Sequence, residues 1–212
     1  MTKIGSLSFE RGNPAWDIAR LYPAQGYWDE GDYLELNRNT NHLVEFSDGE
    51  IEVLEMPTRS HQRIALYLYG LLNEFVVAGN LGEVIVAPYP VKLWKSKFRE
   101  PDILFLLSRH SDRVGENFAR GADLVVEVVS DDRHRDFETK RREYARAKIA
   151  EYWIVDPRDR QVTVLKLAGK RYVTHGVFGA GERIASFLLT GFEVDVTRLF
   201  AAATARRGRS RQ

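Results

Sequence analysis

The sequence predicts a mixed α/β fold, an α+β sheet flanked by helices, and three observations carry that prediction. Asp123 to Val129 is a nearly unbroken apolar run of strand length, the pattern of a central strand covered on both faces. Upstream, Ile64, Leu68, Leu71, Leu72 and Phe75 recur at helical spacing. Downstream, the charged stretch Asp136 to Lys148 reads as a helix that hands over to a short apolar strand, Glu151 to Val155.

Taken in order, residues 1–27 carry scattered aromatics with Pro14, Pro23 and Gly26 but no sustained period, and read as an irregular arm. Asp29 to Leu36 reads as a short helix. Val44 to Phe46 and Ile51 to Leu54 read as strands joined at Asp48-Gly49, where glycine accepts positive φ. Ser60 is the expected cap of the helix that runs to Ala78 and ends at Gly79-Asn80. Val84 to Ala87, Tyr89 to Trp94 and Asp102 to Leu107 read as successive strands before the central run. Glu151 to Val155 is closed by Asp156-Pro157, and Val162 to Leu167 with Arg171 to Val177 reads as a further hairpin about Gly169-Lys170. The main domain is expected over residues 28–200. A basic tail with Arg206, Arg207, Arg209 and Arg211 is expected over 201–212.

Composition narrows the function classes. The 212 residues hold no cysteine, which excludes disulfide frameworks, thiolate zinc sites and thiol nucleophiles and fits a reducing compartment. No apolar run approaches the roughly 20 residues a membrane span needs, and no signal-peptide pattern opens the chain, so a cytoplasmic protein is expected. Thirty-one basic against 30 acidic residues give a net charge of +1, so any nucleic-acid contact must be local. P-loop, GxGxxG, GxSxG and HExxH motifs are missing, which removes the usual support for nucleotide-driven phosphoryl transfer and serine hydrolysis.

Three residues resist a plain structural explanation. Glu127 sits inside Leu124-Val125-Val126-Glu127-Val128-Val129, where a carboxylate needs an arginine, a wet face or a bound cation. Asp102 stands at the mouth of Ile103 to Leu107; alone it reads as a turn residue, but two strand-end acids side by side are the arrangement that holds Mg²⁺. Lys140 falls on the stripe of Phe137 and Tyr144. It either snorkels to solvent or, beside two acids, orients a nucleophile and stabilises charge on phosphate. His61, at a helix start, is a surface residue or an anion contact. Glu45 and Glu50 flank the turn, and the sequence does not choose between a place in this cluster and decoration of the hairpin. The arginines and acids between Asp131 and Arg146 read by default as a solvated, salt-bridged face.

Together, Glu100-Pro101-Asp102, the run Asp123 to Ser130, Lys140 with Tyr144, and Glu151-Tyr152-Trp153-Ile154-Val155-Asp156-Pro157 resemble the successive motifs of the Uma family. Members of that family, within the PD-(D/E)XK nuclease superfamily, are called restriction endonucleases on fold and motif. Glu45 to Glu50 and the Ser60-His61 helix start are similar to its N-terminal signature, so the resemblance covers roughly residues 28–195. It implies a restriction-endonuclease-like core of helix, three-stranded meander, helix and fourth strand. It also implies that Asp102, Glu127 and the Val128 carbonyl bind Mg²⁺ or Mn²⁺. The family's lysine would have migrated from the strand, where Val129 stands here, to Lys140.

The implied function is a DNA endonuclease that hydrolyses phosphodiester bonds with metal-activated water. Lys140 would orient the nucleophile and Glu45 or His61 would assist at the rim. DNA is the expected partner, and a homodimer is expected from Phe9, Trp16 and Trp28. The rival is a non-catalytic nucleic-acid-binding or assembly module that keeps the nuclease fold.

Overall fold

A computed structural model describes residues 22–204. Helix α1 (Glu30–Asn39) begins at Asp29, whose carboxylate accepts from the Asp32 N–H while that of Asp32 accepts from the Asp29 N–H, a reciprocal capping box. Strands β1 (Val44–Ser47) and β2 (Glu50–Val53) turn through Asp48 and Gly49, both at positive φ (50° and 92°), which matches the right-handed twist of a hairpin. A Cβ at Gly49 would stand 2.6 Å from the Gly26 carbonyl oxygen, so this close approach admits only glycine.

Helix α2 (Arg59–Ala78) follows the apolar period read from the sequence and buries Ile64, Ala65, Leu68, Leu72 and Val76. Its cap is Thr58, not Ser60. The Thr58 backbone is extended and its Oγ1 accepts from the His61 N–H at 3.3 Å, which moves the helix start two residues upstream and puts His61 in the first turn.

Strands β3 (Gly82–Val86), β4 (Val91–Trp94), β5 (Lys97–Arg99), β6 (Ile103–Leu107) and β7 (Leu124–Val128) come next. A π-helical turn, Arg135–Thr139, then runs into α3 (Lys140–Arg146). Strands β8 (Glu151–Asp156), β9 (Gln161–Ala168) and β10 (Arg171–Phe178), the short pair β11 (Arg183–Ala185) and β12 (Glu193–Asp195), and α4 (Val196–Thr204) complete the described chain. Ala201 to Thr204 therefore close a helix instead of opening a tail, and Arg206 to Arg211 lie outside the described residues.

The main sheet has the order β10-β9-β8-β7-β6-β3, parallel only between β7 and β8, where the π turn and α3 supply the crossover. The expected run of successive strands is corrected at Tyr89 to Trp94. That segment leaves the main sheet after Pro88 and Pro90, which have no N–H for a ladder, and β4 joins β2-β1-β5 in a separate four-stranded sheet.

Both faces of the main sheet are covered. Ile64, Leu68 and Leu72 of α2, with Leu199 and Phe200 of α4, pack on Phe105, Val126 and Trp153. Tyr144 and Ile149 pack on Leu104, Val125, Tyr152 and Ile154. A smaller cluster of Tyr33, Val44, Phe46, Ile51 and Phe98 joins α1 to the second sheet. Trp28 packs at its edge and stacks on Tyr22 at 5.4 Å, which makes it a core-edge residue; Phe9 and Trp16 lie outside the described residues. Among the described residues no helix is long and apolar enough to cross a membrane.

Candidate active site

The register of β6 against β7 pairs Ile103 with Val126, so the next position outward sets Asp102 beside Glu127 at one end of the sheet. Glu127 is buried, and its Oε1 accepts from the Tyr144 hydroxyl at 2.5 Å while Oε2 lies 2.8 Å from Lys140 Nζ. Lys140 is buried too, and its ammonium also reaches Asp136 Oδ1 at 3.3 Å, one helical turn back. Asp136 is fixed from three sides: its Oδ2 accepts from the Ser130 N–H, its carbonyl accepts from the Tyr152 hydroxyl, and its Oδ1 faces Lys140. Asp102 is the wetter acid. Its Oδ2 accepts from the Val128 N–H at 2.7 Å and lies 3.3 Å from His61 Nε2.

The electrostatics follow from this packing. Burial pushes the Glu127 carboxyl up to about 8, against the pull of Lys140 and with help from the neighbouring Asp102 and Asp136 charges. Burial alone would lower the Lys140 pKa, but Glu127, Glu45 and Asp136 outweigh it and hold the ammonium charged. The group therefore suits charge balance and hydrogen-bond donation better than proton abstraction.

These residues meet at a cleft of about 240 Å³ whose walls include Met56, His61, Asp102, Glu127, Ser130 and Lys140. Glu45 is not at its rim, which corrects the expectation. It is fully buried on β1, where it accepts from Arg99 Nη1, from Arg135 Nη2 and, through Oε1, from the Glu100 N–H at 3.0 Å. Arg99 in turn grips Glu143 of α3 through Nε at 2.7 Å and Nη2 at 3.0 Å, so the second sheet braces the helix that carries Lys140. Glu50 is exposed on the hairpin.

Two cleft residues escaped the sequence reading. Asp136 looked like one member of a charged surface face, and no periodicity distinguishes it. Glu100 had a signal, since it precedes Pro101-Asp102 on the same strand entry. Asn37 donates to its Oε1, its Oε2 is buried without a hydrogen-bond partner, and burial pushes its pKa up to about 7.

Among the described residues no three His, Cys, Asp or Glu side chains cluster at metal-binding distance. A cation here would need backbone oxygen as well. The oxygen donors of Asp102, Glu127 and the Val128 carbonyl fit that need, and their hardness suits Mg²⁺ or Mn²⁺. Burial is the largest cause of the upward shift of Glu127, and the Asp102 and Asp136 charges add to it; a cation would offset that repulsion.

A family model, Uma2, described as "Putative restriction endonuclease", matches residues 31–197. The chain belongs to the Uma2 family. Membership covers both sheets and the cleft, and it supports a nuclease function in general terms. Among solved structures, the chain is similar to a "putative nuclease belonging to DUF820" from Anabaena variabilis, with 17% identity, a TM-score of 0.63, and coverage of 80% of this chain and 98% of that one. That likeness shows the Uma2 chain's fold, a mixed α/β fold as expected. No curated protein matches it.

Proposed function

We propose that the chain is a divalent-cation-dependent DNA endonuclease that hydrolyses phosphodiester bonds at this cleft. The observation that carries the reading is the meeting of Asp102, Glu127 and a buried, charged Lys140 at the floor of an open cleft. Asp102 and Glu127, with the Val128 carbonyl, would hold the ion. The ion would neutralise phosphate charge and make water a better nucleophile near neutral pH. Val128 fixes Asp102 through its N–H, and Tyr144 fixes Glu127, so the acids are oriented before any ligand arrives. An ammonium has three N–H donors; Glu127 and Asp136 take two, and the third is left for a phosphate oxygen or the attacking water. A homodimer that presents two such clefts to the two strands belongs to the same proposal.

The rival binding module draws on one observation: both Glu127 oxygens already have donors, as in a self-satisfied core. Incubation of supercoiled, linear and single-stranded DNA with the chain in Mg²⁺ or Mn²⁺, against a chelated control, separates the two readings. Metal-dependent nicking that is absent from a Glu127→Gln variant supports the nuclease. DNA retention without cleavage in either metal supports the rival.

A further inference from the structure

The cleft draws its lining from two unlike sources. The acids and Lys140 belong to the main sheet and the helix that follows it, whereas Leu43, Leu54, Met56 and Pro57 come from the β1–β2 hairpin and its exit. The hairpin runs past its last strand pair, Val44 with Val53, because the Leu54 N–H donates to the Leu43 carbonyl at 2.9 Å. Thr58 caps α2 directly after Pro57, so this apolar stretch is held at both ends. Met56 is nevertheless 64% exposed at the cleft.

The charge of the cleft does not suit a track of phosphates. Among the described residues that line it, Lys140 and Arg158 are the lysine and the arginine; Arg158 pairs with Asp131, and Lys140 with Glu127 and Asp136. Duplex DNA held by its backbone takes an array of cations. One phosphate at Lys140 and the proposed ion is what this cleft supports, so further affinity must come from another part of the nucleotide. The apolar stretch is the surface left for it, and Leu, Met and Pro are side-chain types that separate and hold bases.

Depth points the same way. Glu127 and Lys140 are 3% and 5% exposed, so a phosphate reaches them only by entering the cleft. At about 240 Å³ the cleft is smaller than most pockets for drug-sized ligands, and a double helix, whose major groove alone is about 12 Å wide, does not fit inside. A strand freed from its partner can turn one nucleotide inward.

We infer that the cleft takes DNA that is unpaired at the scissile phosphate, with that phosphate at Lys140 and the adjoining base against Leu43, Leu54 and Met56. Single-stranded or bubbled DNA is then the preferred substrate, and intact duplex is disfavoured by the cost of unstacking a paired nucleotide. The inference rests on the reading of the cleft as a site for DNA. In a homodimer each cleft would take one of two separated strands.

The test uses the full chain and one DNA sequence in three forms: single strand, perfect duplex, and duplex with a central bubble. Binding is read by fluorescence anisotropy in Ca²⁺ and cleavage in Mn²⁺. The parent should bind and cut the two unpaired forms at least about tenfold better than the duplex. Met56→Ser should weaken binding of the unpaired forms by about fivefold or more, the low end for loss of one base contact, while Met56→Leu keeps parental binding. Should Met56→Ser melt early, Met56→Gln carries the same comparison. Equal use of all three forms, or unpaired-DNA binding that Met56→Ser leaves at parental strength, overturns the inference, and cleavage in that case leaves the nuclease reading standing. Selective, Met56-dependent binding of unpaired DNA without cleavage supports the inference and removes the hydrolytic reading. A parent that binds no form overturns both.

Discussion

Lys140→Met should fold and should lose DNA cleavage by about 10²-fold or more, the scale at which a single positioned donor acts on a transition state. The methionine stem fills the apolar part of the lysine's path between Phe137 and Tyr144. The cation between Glu127 and Asp136 is lost, and an uncompensated buried charge is costly. That cost is limited because burial already holds Glu127 toward its neutral form, so a proton on that carboxyl can replace the ammonium. Melting temperature and single-turnover cleavage separate the two effects. A well-folded variant with parental cleavage would remove Lys140 from the mechanism.

Arg99→Met should cost about 3 kcal/mol or more at neutral pH, because it leaves the fully buried Glu45 with Arg135 as its remaining ion-pair partner and leaves Glu143 on α3 held by Lys97 alone. Burial would raise the Glu45 pKa; Arg99, with Lys140, Arg135 and the Glu100 N–H, outweighs it and holds the carboxyl down at about 2. A depressed carboxylate contributes stability that is present above its unfolded value of 4.5 and lost as pH falls toward 2. In the variant Glu45 titrates higher. The gap between parent and variant should therefore narrow as pH falls from the variant's Glu45 pKa toward 2, and Glu45→Gln added to Arg99→Met should recover part of the loss. Urea denaturation across that range reads both. A gap that stays constant with pH would mean that Arg99 acts through packing alone.

The parts of the site that the sequence showed were contradictions in the apolar pattern. Glu127 inside a valine run stood out because nothing local could satisfy it, and Asp102, a turn residue when read alone, gained weight only as its pair; an antiparallel register then sets them side by side. Lys140 stood out for the same reason, on an otherwise aromatic stripe. The fate of Glu45 was not legible. Its arginines lie 54 and 90 residues away, and no local pattern specifies such a pairing. Strand β5 was missed because two of its three residues, Lys97 and Arg99, are charged, yet all three are buried, with the charges matched by Glu143 and Glu45. Among the elements, α2 and β7 followed their periods closely. The path of Tyr89 to Trp94 into a second sheet depended on partners in β1 and β5 that a one-dimensional pattern does not encode.

Thermal melts of the parent and of Asp102→Asn, each with Mn²⁺ and with chelator, test the cation site most directly. The asparagine keeps a carbonyl oxygen for the Val128 N–H, so the variant should melt close to the parent in chelator. At a concentration about 100 times its dissociation constant, metal should stabilise the parent by about 2.7 kcal/mol, which raises its Tm by roughly 5 to 10 °C. It should leave the variant unmoved. A variant that is destabilised in chelator and still rises with metal as the parent does would contradict the assignment of Asp102 as a ligand and reduce it to a structural turn residue.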